Sequence, residues 1–163
     1  MALITSPTEM IPDLNYEYHT VTIDSIGQDS ANTFTCFLSQ PLKNVVQARL
    51  IAARINTTAN TEHCYVSIEQ LDSIFTDRAS NVYDGQASMS LLRGSFASLV
   101  KDEATTVTFK DDYPVVTQYI DPIRRVDRLN VTIRDQDGET IERAGAGDKN
   151  FLVLRFVCRK PNL

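Results

Sequence analysis

The stretch Arg128-Leu129-Asn130-Val131-Thr132-Ile133-Arg134 places apolar side chains at every second position and then runs into Asp135-Gln136-Asp137-Gly138. A period of two lines one face of a β-strand with apolar groups and leaves the other face polar. Asp-Gly after such a run predicts a hairpin that returns through Thr140 and Ile141, with a positive φ at Gly138. The same alternation recurs in both directions along the chain. His19, Val21 and Ile23 alternate with Thr20 and Thr22, and Phe34, Cys36 and Leu38 alternate with Thr33, Thr35 and Ser39. There Phe37 is the apolar exception on the outer face. Cys64, Val66 and Ile68 form a third set, and Val107 and Phe109 a fourth. Between the sets lie segments rich in Gly, Asp, Asn, Ser and Pro, such as residues 27–32, 56–62, 77–85, 111–114 and 145–150, whose side chains accept turn geometry.

Composition agrees with this pattern. Val, Ile and Thr together supply 41 of the 163 residues, and β-branched side chains fit a pleated surface better than a helix. Two segments read less cleanly. Val45 to Ile55 is apolar on both alternating faces, so a helix pairing Val46, Leu50 and Ala53 competes with a long strand containing a bulge, and we favour the strand. Phe151 to Cys158 is apolar except for Arg155, which suits a central strand buried on both faces. Asp121 as cap and Pro122 at the first helical position predict one short helix over Pro122 to Arg128. The expectation is an all-β chain: a single eight-stranded jelly-roll sandwich over residues 16–163 with at most one or two short helices, preceded by an arm, Met1 to Asn15, that carries Pro7 and Pro12 and no sustained period.

The chain has 16 basic and 21 acidic residues, a net charge of -5, three cysteines, two histidines and no tryptophan. At this length one core buries roughly two thirds of the surface that the unfolded chain exposes, so neither disulfides nor metal are required. No apolar run approaches the about 20 residues of a membrane-crossing helix, and no secretory signal pattern is visible at the N-terminus. No transmembrane segment is therefore expected. Cys36, Cys64 and Cys158, odd in number and set in apolar runs, read as reduced core thiols. The acidic balance argues against direct binding of nucleic acid.

Catalytic readings find little purchase. A facial-triad iron site needs two histidines and a carboxylate, and only His19 and His63 are present, neither with a carboxylate two positions later. Cys64 beside His63 suggests a thiol nucleophile, yet adjacent strand residues point to opposite faces. Asn56-Thr57-Thr58 and Asn130-Val131-Thr132 match the glycosylation acceptor pattern by chance in a chain with no secretory signal. Asp135, Asp137, Glu139 and Glu142 lack the ligand count and glycine placement of a calcium loop. No catalytic residue, cofactor or metal is expected. What remains is Arg124, Arg125 and Arg128 with Asp127, together with Asp121 and Arg134. This is a solvated face with local ion pairs, or an assembly surface where arginine forks meet carboxylates of a neighbour.

Asp121-Pro122-Ile123, Asp127-Arg128-Leu129, the alternating strand, Asp135-Gln136-Asp137-Gly138 and the final Phe151-Leu152-Val153-Leu154-Arg155-Phe156 stand in that order. Upstream, Leu38-Ser39-Gln40-Pro41-Leu42-Lys43-Asn44-Val45 leads into Val46 to Ile55, and Tyr65 to Leu71 follows. In order and spacing these blocks, covering most of residues 34–158, resemble the single jelly-roll capsid proteins of large icosahedral double-stranded DNA viruses of eukaryotes. The resemblance implies a strand for Val45 to Ile55 and a non-enzymatic structural role in the virion, assembled inside the host cell. The preferred role is a penton protein: a homopentamer that closes the icosahedral vertex and contacts trimers of the major capsid protein and other minor capsid proteins. A minor capsid protein away from the vertex is the alternative within the family. A carbohydrate- or receptor-binding jelly roll is an alternative outside it, with Tyr16, Tyr83 and Tyr113 as platforms and the lack of tryptophan against it. The arm, Met1 to Asn15, is the segment expected to reach a neighbouring capsomer.

Overall fold

In the computed structural model, which describes residues 15–74, 76–79, 81–83, 86–88, 92, 94–141 and 149–161, the chain forms nine strands and, among these residues, no helix. They are β1 (Tyr16–Asp24), β2 (Thr33–Asn56), β3 (His63–Ile68), β4 (Asn81–Tyr83), β5 (Gln86–Ser88), β6 (Ala97–Val100), β7 (Thr106–Phe109), β8 (Val116–Arg134) and β9 (Phe151–Arg159). Seven of them make one antiparallel sheet in the order β1-β9-β2-β8-β3-β6, with β7 pairing the end of β2. β4 and β5 form a separate hairpin. The proposed arm, apart from Asn15, lies outside the described residues.

Two strands shape this sheet. β2 has 24 residues and would run about 80 Å if straight, whereas a domain of this size has a radius of gyration of about 15 Å. It must bend, and the register shows where. Between the pairs Phe37↔Arg128 and Leu42↔Val126, residues 38–41 of β2 face Asp127 alone. Between Val45↔Ile123 and Gln47↔Gln118, it is β8 that carries the excess, residues 119–122 facing Val46. Pro41 has no N–H to give a ladder, and Asn44 takes φ 54, so both strands turn at the same level. β8, 19 residues long, bends with its partner, and the sheet curls around one core.

The core follows the alternation read from the sequence. Leu129, Val131 and Ile133 of β8, Cys64, Val66 and Ile68 of β3, and Val107 and Phe109 of β7 are all buried. In β9 the buried set is Leu152, Leu154, Phe156 and Cys158, while Val153, Arg155 and Val157 are only partly covered. β9 is therefore central in its hydrogen bonding, between β1 and β2, but it is buried on one face and not on both. The Asp-Gly turn forms as the dipeptide predicts: Gly138 has φ 85, its N–H donates to Asp135 O at 3.1 Å, and Asp135 N–H donates to Glu139 O at 2.9 Å. Val45 to Ile55 is strand, with irregularities at Val46 and Ile51 against β9.

The short helix expected over Pro122 to Arg128 does not form; these residues belong to β8. Ile123, Val126 and Leu129 sit three apart and are partly or fully covered, which imitates a helical stripe. Pairing with Leu42, Lys43 and Val45 of β2 overrides the local cap signal.

One end of the curled sheet is tied by a buried polar knot. Ser25, Asn32 and Asn150 are almost inaccessible to water. Asn150 Nδ2 donates to Ala31 O and to Asn32 Oδ1, its Oδ1 accepts from the Asn56 N–H at 2.8 Å, and its own N–H donates to Ser25 Oγ at 3.0 Å. Asn32 Nδ2 in turn donates to Ile141 O, and Asn32 O accepts from Ile133 N–H. The β1–β2 loop, the end of β2 and the start of β9 are thus joined through side-chain amides that satisfy one another.

Candidate assembly surface

Arg124, Arg125, Asp127 and Arg128 are all exposed, on the bent middle of β8. Their placement on a strand comes from pairing: Arg125 lies opposite Lys43 and Arg128 opposite Phe37. Arg125 Nε reaches Asp127 Oδ2 at 3.4 Å, with both side chains more than half exposed, so this pair contributes little stability. Neither Arg124 nor Arg128 has an ion-pair partner among the described residues. Arg134, grouped with them by sequence, lies at the far end of β8, where its Nη1 donates to Gly138 O at 3.2 Å. The same bend brings in residues that the sequence reading passed over. Lys43 joins the arginines from β2, and Arg159 and Lys160 stand beside it because Cys158 pairs with Val45. Two large apolar side chains also project there, Phe37 at 77% and Ile120 at 93% exposure. The bulge at residues 119–122 accounts for Ile120, since a side chain at a bulge is re-aimed away from the core, whereas Phe37 pairs in register with Arg128 and faces outward by strand alternation. Phe37 was already legible as an outer-face exception.

His19 Nε2 stands 3.4 Å from the exposed Glu17 carboxylate. His63 Nε2 is 3.1 Å from the Tyr65 hydroxyl, the rings meeting edge to face. Cys64 is fully buried, and burial pushes its thiol up to about 12, which removes thiolate character. Cys158 is pushed up to about 11 by burial, with the Glu17 charge adding to it. All three cysteines are free. Among the described residues no group of three or more His, Cys, Asp or Glu gathers as a metal set. Asp135 Oδ1 is occupied by the N–H groups of Asp137 and Glu139, capping the hairpin; Glu142 lies outside the described residues. Both acceptor-pattern asparagines use their side-chain nitrogen, Asn56 toward Lys149 O and Asn130 toward Glu69 Oε2.

The three tyrosines proposed as sugar platforms do not sit in loops as a set. Tyr16 opens β1 and Tyr83 ends β4, while Tyr113 donates its hydroxyl to Ser98 O and packs its ring edge-on to Phe109, 5.1 Å between centroids. A different tyrosine is used internally: Tyr119 donates to Leu71 O at 2.7 Å. Burial, with the nearby Asp72 carboxylate, raises its pKa. Asp72 accepts from Ser67 Oγ and from the Ile68 N–H, yet its carboxyl is raised because burial outweighs those bonds. A groove of about 510 Å³ runs between residues 18–23 of β1 and 36–42 of β2, and Cys36 Sγ donates to Asp24 O at 3.2 Å. No protein-family model and no curated protein matches the sequence. No helix of the described residues is long and apolar enough to cross a membrane.

Proposed function

We propose that the chain is a structural capsid protein, a penton that forms a homopentamer at the icosahedral vertex of a large double-stranded DNA virus and contacts the surrounding major capsid protein trimers. The reading is supported by the strand order taken together with the resemblance of residues 34–158. Divided at their shared bend, β2 and β8 each contribute to two four-stranded halves. One half is β1, β9, the second part of β2 and the first part of β8; the other is the first part of β2, the second part of β8, β3 and β6. With β7 added at the end of β2, eight of the nine segments fall in two four-stranded antiparallel halves, the strand count of a jelly roll, and that is the fold we propose within the curled sheet. The role is non-enzymatic, and the place of the protein is the virion.

A ring of five needs a heterologous contact, one flank of each subunit meeting the opposite flank of the next, with about 1,200–2,000 Å² buried at each contact if it resembles stable complexes. A sandwich with a continuous core supplies fixed flanks. Native mass measurement on the purified protein, and its position in a map of the particle, test the assignment. Pentamers located on the fivefold axis are expected. A position away from that axis gives the role to a minor capsid protein, and absence from the particle refutes the capsid reading altogether.

A further inference from the structure

The sheet register sorts the charges of the chain along the strand axis. At the bend, Lys43, Arg124, Arg125, Arg128, Arg159 and Lys160 stand against Glu17, Asp121 and Asp127. Six bases face three acids in a protein whose net charge is -5. The opposite end gathers residues 25–32, 57–62, 101–105, 135–141 and 149–150, held together by Gln136 Nε2 on Asn60 O, Glu62 N–H on Gln136 Oε1 and Lys101 Nζ on Ala59 O. These segments carry seven acids and two bases. The exposed Glu69, on the segment after β3, lies beside Asn130 and adds a fourth acid near the bend, which leaves six bases to four acids; Asp72 is turned inward to Ser67 and Ile68.

We infer that the bend is a docking surface for an acidic segment of another protein, one whose carboxylates flank an apolar side chain. Three observations select that chemistry. Arginine forks accept carboxylates two oxygens at a time, and Arg124 and Arg128 have no acidic partner within the described residues. Phe37 and Ile120 project on the same bend, giving apolar contacts next to the charges, the mixture of arginine and aromatic groups found where binding energy concentrates. A purely ionic partner would leave those two side chains unused. Finally, the polarity of the molecule orients an approaching anionic partner toward the bend and away from the acidic loops.

The probe is a twelve-residue peptide of glutamates with leucine at every fourth position, compared with the same peptide carrying glutamine for glutamate. Binding to the full chain is followed by fluorescence anisotropy at pH 7 in 50 mM and 500 mM salt. The glutamate peptide is expected to bind at least about tenfold tighter than its glutamine counterpart, and to weaken at the higher salt. Arg124→Glu with Arg128→Glu is expected to lower its affinity at least about tenfold, with the thermal midpoint unchanged because both side chains are exposed. Lys43→Glu tests the same surface from β2, and Phe37→Ser with Ile120→Ser tests the apolar contribution. No binding, or equal binding by the charge-reversed protein, overturns the inference. Tighter binding to phosphatidylserine vesicles or to duplex DNA than to the peptide also overturns it, as does end-to-end polymerisation at low salt through the acidic loops of a second copy. A monomeric wild-type protein that binds the peptide refutes the ring alone. A pentamer indifferent to the peptide refutes the docking surface alone.

Discussion

Replacing Asn150 by alanine removes the centre of the polar knot, and its cost can be worked from the bonds it makes. The side chain donates to Ala31 O and Asn32 Oδ1 and accepts from the Asn56 N–H and Nδ2. After truncation the Asn32 oxygen and the Asn56 N–H are left in a site where Asn32 and Asn150 are almost fully buried. Each stranded group costs about 1–3 kcal/mol, so for two groups a loss of about 4 kcal/mol is the central expectation, a large part of the about 5–15 kcal/mol that holds a domain folded. With a urea slope of about 2 kcal/mol/M the unfolding midpoint falls by about 2 M, the slope itself unchanged. Asn32→Ala should cost a similar amount, and the double variant less than the sum, because both remove the same bond. Asn56→Ala keeps the backbone N–H in place and should cost less than either. A midpoint shift for Asn150→Ala below about 0.5 M, or strict additivity with Asn32→Ala, would refute the view that this amide joins three segments.

Two further outcomes follow from buried ionisable groups. The Asp72 carboxyl is raised above its ordinary 3.8 by burial, so the folded protein holds that proton more firmly than the unfolded chain; the contribution is fully present below that ordinary value and is lost as pH rises through the folded one. The stability difference between wild type and Asp72→Asn, measured by urea unfolding from pH 3.5 to 7 (about the span over which a raised carboxyl titrates), should therefore move against wild type as pH rises, and a flat difference would contradict it. For the thiols, iodoacetamide labelling of the native protein read by mass spectrometry should modify the partly exposed Cys36 first and Cys64 last. Early labelling of Cys64 would mean that β3 opens far more readily than its burial allows.

Strand existence was legible wherever one face is buried, because alternation records burial directly; Leu129, Val131 and Ile133 needed no tertiary information. The continuity of β2 and β8 was not. At residues 38–41 and 119–122 the bulges interrupt the period of two, so a long bent strand reads as two elements with a turn or helix between them. Asp121-Pro122 is a fair helix start in isolation, and it loses to ladder bonds with β2 that no local window contains. The docking face was half visible. Arg124, Arg125 and Arg128 stood out as a cluster, but Lys43, Arg159 and Lys160 are brought beside them only by register. The asparagine knot was hidden for another reason: Asn32, Asn56 and Asn150 all occur where turns were expected, and a turn asparagine looks the same whether its amide meets water or another loop.

β1 pairs along all nine of its residues with β9, from Tyr16↔Arg159 to Asp24↔Phe151, and among the described residues with no other strand. The first strand of the domain therefore waits for the last. During synthesis, at about 5–20 residues per second, the segment from Tyr16 to Asp24 is made many seconds before the partner that covers it, and its ladder groups stay unpaired throughout. Pairing across so long a separation also places this domain among the slower-folding topologies. Loss of the nine residues from Phe151 to Arg159 would remove two adjoining strands from the sheet at once, leaving β1 without its ladder and the second part of β2 with an open edge.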